Sequence, residues 1–278
     1  MTPEGTRVLI KGAGDLGTGV AARLWRCGFG VVMTEIAQPT VIRRTVAFGE
    51  AVYTGRTAVE GIEARRVDAV REVPECLRGR AIPVLVDPDG ILARGVGAEI
   101  LVDATLSKRN VATRITDAPI VIALGPGFKA GVDAHAVVET NRGHNLGRVI
   151  LEGEAEPDTG VPGVIAGVSE ERVLRAPGAG RFRAVREIGD RVKRGDVVGY
   201  VGETPLAPAI GGILRGLLRT GLEVEEGLKV GDVDPRAIPE HCHTISDKAL
   251  AVAGGVLEAI FVCFRRVAAA GPPSLFDA

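Results

Sequence analysis

The chain has 278 residues, 46% of them hydrophobic and 25% charged, with a formal net charge of -1, a composition that describes a folded chain long enough for two domains. Near-neutral charge and 4% aromatics argue against a nucleic-acid partner, which asks for a basic face and stacking rings. The most apolar stretch, Ala249 to Phe264, is interrupted by Glu258 and falls short of the roughly 18–20 residues of a membrane span. The opening MTPEGTRVLIKG lacks the apolar core of a signal peptide, and four scattered cysteines without C-x-x-C spacing suggest free thiols, so a cytoplasmic location is expected.

Arg7 to Phe29 has the pattern strand, glycine turn, helix. Val8-Leu9-Ile10 is a short apolar run, and Gly12, Gly14 and Gly17 form G-x-G-x-x-G where the strand meets a helix carrying Val20, Ala21, Leu24 and Trp25 at helical spacing. The first glycine of such a motif permits a tight turn, the second lets backbone come close to a phosphate, and the third lets helix pack on strand. Asp15 stands at the helix start, as a ligand-side residue or a plain N-cap. A second strand, Val31 to Thr34, ends in Glu35, the place of an acid that binds a ribose hydroxyl and favours NAD over NADP.

Pro39-Thr40 predicts a helix through Phe48. That would place Arg43 and Arg44 near the mouth of the crevice, where guanidinium groups clamp phosphate or carboxylate; a solvated basic turn fits the same residues. Ala58 to Val67 is expected to be extended, Asp68 to Leu77 a short helix interrupted by Pro74. Pro83–Val86, Ile100–Ala104 and Ile120–Leu124 are expected strands, the first closed by Asp87-Pro88-Asp89-Gly90. Buried strands alternating with helices predict an α/β, Rossmann-like, mostly parallel sheet over residues 1–153, with ligands beyond the carboxyl ends of the strands. Gly12–Gly17, Glu35, Asp103–Lys108 and Gly125–Lys129 then share one crevice, made basic by Lys108, Arg109 and Lys129; Gly125, Gly127 and Lys129 join the candidate ligand-binding residues. His144, in the turn of ETNRGHNLG, is a candidate acid/base or anion ligand, with a structural histidine as the alternative.

EAEPDTGVPG is linker-like. Beyond it, Gly180–Val201 and Gly212–Val233 are repeats. Gly180/Gly212, Arg183/Arg215, Gly189/Gly221, Val192/Val224, Gly195/Gly227, Val198/Val230, Gly199/Gly231 and Val201/Val233 are identical pairs. Two such units predict a small β sandwich over 164–238, similar to the biotinyl/lipoyl barrel-sandwich hybrid. The tip Glu203–Pro208 has no lysine, which argues against a carrier role. A C-terminal helix capped by Ser246 and Asp247 follows within 239–267, packing on the body, and 268–278 is an expected tail. Cys242, between His241 and His243 just before that helix, is a candidate nucleophile or sulfur carrier, because a helix N-terminus and imidazoles favour thiolate; a plain capping loop is the alternative. Three adjacent residues do not wrap one tetrahedral ion, so no metal site is expected there.

KGAGDLGTGVAARL, PTVIRRTVAFGEAVY, IALGPGFKAG, ETNRGHNLG, DTGVPG, KVGDVDPR and TISDKALAVAGGVLEAI together resemble the bacterial selenium-dependent molybdenum hydroxylase accessory family (YqeB-type proteins). The N-terminal half is more loosely similar to the Rossmann part of xanthine dehydrogenase accessory proteins, which bind molybdenum cofactor. The resemblance implies a maturation role with a molybdenum hydroxylase as partner and molybdenum cofactor, or its dinucleotide form, as the phosphate-containing ligand. Gly12–Gly17 would hold its phosphate, Arg43 or Arg44 would neutralise it, Glu35 would meet a ribose or pterin N–H, and Cys242 would carry sulfur or selenium. Two readings stand beside it: an NAD-dependent oxidoreductase, which lacks a Tyr-x-x-x-Lys pair here, and a docking scaffold that needs no ligand. Catalytic turnover and homo-oligomer formation are left open.

Overall fold

The computed structural model describes residues 2–270, so the expected tail falls outside the described residues from 271 onward. Strand β1 (Arg7–Lys11), helix α1 (Asp15–Arg26) and β2 (Gly30–Glu35) open the chain. Helix α2 (Ala51–Thr54), strands β3 (Arg56–Val59) and β4 (Ile62–Val67), helix α3 (Val73–Arg78) and strands β5 (Ile82–Val86), β6 (Ile100–Asp103) and β7 (Ile120–Leu124) follow. Four short strands, β8 (Lys129–Ala130), β9 (Ala136–Val138), β10 (Val149–Ile150) and β11 (Gly153–Glu154), complete this half. Nine strands form one sheet in the order β10-β9-β7-β6-β1-β2-β5-β4-β3. Its inner pairings are parallel and only its two edge pairings antiparallel, the mostly parallel α/β architecture expected.

The strands are continuous apolar runs because both faces of the sheet are covered. Val8, Ile10, Val31 and Met33 join a core with α1, while Leu9, Val32, Leu85 and Leu101 join a second core with α3. Residues 39–48 depart from the expected helix: they hold only a 3-10 turn at Arg44–Val46, with another at Phe48–Glu50. The reason is tertiary, since the Ile42 carbonyl accepts the Leu217 N–H at 2.8 Å instead of closing a helical turn.

The second half carries strands β12 (Val173–Arg175), β13 (Gly180–Ala184), β14 (Arg191–Val192), β15 (Gly199–Val201), β16 (Thr204–Leu206), β17 (Gly212–Leu217), β18 (Glu223–Val224) and β19 (Lys229–Asp234). They form two four-stranded sheets, β12-β19-β17-β14 and β16-β15-β13-β18, around one core that includes Phe182, Val198, Leu214 and Val230. The repeat is real in three dimensions. β13, β14 and β15 correspond to β17, β18 and β19, and each unit lends its middle strand to the other: β14 pairs with β17 and β18 with β13. Equivalent glycines share one backbone state, Gly189 and Gly221 having φ of 102° and 100°, values that L side chains rarely adopt.

Helix α4 (Asp247–Ala270) leaves this β body and lies beside α1 on the parallel sheet. Small residues allow it: a Cβ on Gly19 would stand 2.8 Å from the Ala249 Cβ. Among the described residues, no helix is long and apolar enough to cross a membrane.

Candidate functional site

The glycine turn sits at the carboxyl end of β1, and two of its glycines are there for the fold. Gly12 has φ +91°, and a Cβ on it would stand 2.8 Å from the Ala104 carbonyl; a Cβ on Gly17 would stand 2.2 Å from the Gly12 carbonyl. Gly14 differs. Its backbone is extended, and the nearest atom to a Cβ there is Val41 Cγ2 at 3.7 Å, an ordinary contact. It is the N-cap of α1 and brings no capping side chain; Asp15 takes the Leu16 N–H at 2.9 Å, and the rest of the first turn faces the crevice as a site for an anion.

Around the turn lies a crevice of about 380 Å³ at the ends of β1, β2, β5 and β6, lined by Gly12, Gly14, Asp15, Gly17, Glu35 and Asp103 among others. Its character is not the basic one expected. Glu35, Asp87, Asp89, Asp103 and Asp15 line it, and Lys11 is its lysine. These acids also hold the walls. Glu35 accepts the Ala13 N–H and the Ile36 N–H, each at 2.8 Å, which ties the glycine turn to β2. Burial pushes its carboxyl pKa up against those two bonds. Asp87 accepts the N–H groups of Leu92 and Ala93. Lys11 donates to the Thr113 hydroxyl at 2.9 Å, which donates to Asp103 at 2.6 Å.

The other candidates fall elsewhere, each for a physical reason. Arg43 reaches past Asp15 (3.4 Å) to donate to the carbonyls of His241 and Thr244, each at 3.2 Å. Arg44 donates to the Leu217 carbonyl at 2.8 Å and lies 3.9 Å from Glu50; it lines no part of the crevice. Both arginines lock the β body and the segment before α4 onto the parallel-sheet half. Gly125 and Gly127 serve close loop packing: a Cβ on Gly125 would stand 2.5 Å from Thr140 Oγ1, one on Gly127 2.6 Å from the Arg109 backbone. Lys129 is exposed on β8 and outside the crevice. His144 is exposed and lines a separate hollow with Glu139 and Arg148. Cys242 is 0% exposed, with its sulfur 3.9 Å from the Leu214 carbonyl. Burial pushes its thiol pKa up, the reverse of the thiolate expectation. It ends the 3-10 turn Pro239–Cys242, ahead of the helix whose first residue is Asp247.

Beside the crevice, and sharing Asp15, Leu16 and Leu106 with it, a second space of about 470 Å³ opens between the parallel-sheet half and the β body. Eight lysines and arginines line it against four acids. The positive charge expected of the crevice is here, and the sequence does not show that its carriers Arg142, Arg175, Arg215, Lys229 and Lys248 converge, because they come from separate segments. One signal was legible: where the two repeat units diverge, the second gains charge, Lys229 replacing Val197 and Asp232 replacing Tyr200.

The chain is 49% identical over 259 residues to the uncharacterized protein YqeB of Escherichia coli (strain K12). The match covers 93% of this chain and 48% of that protein, so the chain spans about half the length of the curated relative it matches. No family model matches. Among solved structures, TcdA (CsdL) is similar with a TM-score of 0.35 and 11% identity over 95% of this chain and 88% of that one. E. coli tRNA N6-threonylcarbamoyladenosine dehydratase, TcdA, in complex with AMP, overlaps with a TM-score of 0.29 and 11% identity, covering 94% and 88%. A succinylglutamate desuccinylase/aspartoacylase from Rhodobacter sphaeroides gives 0.26 and 14%, covering 83% and 86%. Overlaps this shallow carry no argument about activity.

Proposed function

We infer that the crevice binds a nucleotide-containing small molecule by its phosphate, and that the chain is an accessory protein that holds molybdenum cofactor, or its dinucleotide form, for a maturing molybdenum hydroxylase. Gly14 carries the reading. The fold accommodates a side chain there, yet the N-cap position of α1 is a glycine, which leaves the backbone open to the close approach of a phosphate. Glu35 supports it, since each of its oxygens retains capacity for a ligand hydroxyl or N–H beside the single backbone bond it accepts. The maturation role rests on the sequence motifs alone, since YqeB is itself uncharacterized. An NAD-dependent oxidoreductase is less well supported: Tyr53 donates its hydroxyl to the Pro39 carbonyl, and Tyr200 lies under Arg183 in the β body.

The test is a calorimetric titration of the full chain with NAD, ATP, CTP and molybdenum cofactor. Gly14→Val is expected to weaken cofactor binding by more than about tenfold, the loss of one charge-assisted contact, with the thermal midpoint lowered only by the few degrees that about 1 kcal/mol of lost capping costs. Unchanged affinity in that variant, or no affinity for any of the four, removes the reading; binding of NAD alone replaces it with the dehydrogenase.

A further inference from the structure

Most cations around the larger space already have partners. Arg142 makes a two-pronged pair with Asp247 at 2.8 Å on each side, Arg172 meets Asp232 at 2.6 Å, and Lys108 meets Asp158 at 2.6 Å. Three groups remain. Among the described residues, the ammonium groups of Lys229 and Lys248 have no ion pair and no hydrogen bond. Arg175 has only the Gly227 carbonyl, at 3.1 Å.

That arrangement is costly by itself. A lysine left alone extends its head into water, and gathering like charges around a partly closed hollow is unfavourable. Burial pushes both ammonium pKa values down; Asp232 and Asp15 pull Lys229 part of the way back and Asp15 does so for Lys248, while Arg172 lowers Lys229 and Arg142 and Lys229 lower Lys248. Such a cost is characteristic of a site whose charge is completed by a ligand. The ligand's class follows from the walls. The space is of ligand size, cations exceed acids two to one, and no aromatic ring lines it for stacking. Lysine point charges beside an arginine fork suit phosphate oxygens.

The geometry points to a second anion site: Lys229, Lys248 and Arg175 form a seat for a phosphate or diphosphate group between the parallel sheet and the β body. Two sources supply that group, a separate inorganic oxyanion or the phosphate end of the crevice ligand, because the two spaces meet at Asp15, Leu16 and Leu106. The assignment does not depend on what the crevice binds.

The experiment is titration of the full chain with inorganic pyrophosphate at constant ionic strength, with no nucleotide present. Saturable binding is expected. Lys229→Met and Lys248→Met are each expected to weaken it about tenfold or more, as loss of a hydrogen bond to a charged group does, while exposed Lys193→Met leaves it unchanged. Both lysine variants are expected to keep or raise the thermal midpoint, since each removes a charge without a protein partner. Where Lys229→Met does not fold, Lys248→Met and the exposed Arg175→Gln carry the same comparison. Absence of saturable binding, or binding that Lys193→Met weakens as much as the site variants do, overturns the proposal. ATP supplies the second arm. Competition with pyrophosphate assigns the seat to the nucleotide's own phosphates, and simultaneous binding assigns it to a separate oxyanion. Failure of every nucleotide to bind, with pyrophosphate binding intact, removes the crevice reading alone.

Discussion

Replacing Asp234 by alanine is expected to cost the fold about 3–5 kcal/mol, the range for removing one partner of a buried charge cluster, and to lower the thermal midpoint by on the order of 10 °C. Asp234 is 1% exposed. Its carboxylate accepts the Arg236 backbone N–H at 3.0 Å and two Arg236 guanidinium bonds at 2.9 and 2.6 Å, and it lies 3.7 Å from Arg215. Arg215 in turn donates to the His241 carbonyl at 3.2 Å. The variant therefore leaves a buried guanidinium without its counter-charge, on the wall of the basic space. Burial pushes the Asp234 pKa up, but Arg236 more than offsets it, with Arg215 adding to the effect, and the net shift is below the unperturbed 3.8. The stability tied to that shift is present above about pH 4 and falls away as pH drops through the folded value. Denaturant unfolding of wild type and variant should thus converge in acid. A second substitution, Arg215→Met, should recover part of the loss by removing the orphaned charge. A loss below about 1 kcal/mol at neutral pH would show that the cluster is not holding the β body together.

The parallel-sheet half was legible because each of its strands is a local apolar run punctuated by turn residues. Val8–Ile10, Val31–Thr34, Ile100–Asp103 and Ile120–Leu124 needed no distant partner to be recognised. The repeat was legible for a related reason: glycines at Gly189/Gly221 and Gly195/Gly227 mark turns with positive φ that other residues resist. The segment Pro39–Phe48 was not legible. Pro39-Thr40 is a helix start signal, but Thr40, Val41, Ile42, Thr45 and Val46 are β-branched, poor helix formers, and the Ile42 carbonyl and the Arg44 side chain pair with Leu217, far away in sequence. The same distance hid the basic space. Arg142, Arg175, Lys229 and Lys248 each look like surface cations in their own segment, and only the return of α4 to the side of α1 brings them around one hollow. The expectation of a thiolate at Cys242 failed on burial, which periodicity in so short a segment does not report. The three glycines of the turn looked equivalent in sequence, and only their surroundings separate Gly14 from Gly12 and Gly17.

A matched pair of alanine substitutions in α4 is expected to move stability in opposite directions. Gly254→Ala should stabilise by about 1 kcal/mol: nothing lies within 4 Å of a Cβ there, and alanine is the better helix former by about that amount. Gly255→Ala should destabilise by about 3 kcal/mol, at the severe end of overpacking. Its Cβ would stand 2.2 Å from the Gly147 carbonyl and 2.8 Å from Val138 Cγ1, and Gly147 is backbone, which cannot swing aside. The approach is mutual, because a Cβ on Gly147, whose φ is +81°, would stand 2.7 Å from the Ala251 carbonyl. The segment pressed onto α4 in this way runs from Glu139 to Arg148, and it carries Arg142. Pushing it off the helix would pull Arg142 away from Asp247, whose carboxyl that guanidinium holds well below the usual carboxylate range. Gly255→Ala should accordingly weaken pyrophosphate binding as well as lower the thermal midpoint, while Gly254→Ala leaves binding intact. Thermal unfolding and the pyrophosphate titration on the two variants check both halves. Equal midpoints for the two proteins would mean that α4 does not seat against the Gly147 turn, and the basic space would then lose the wall that α4 and Arg142 give it.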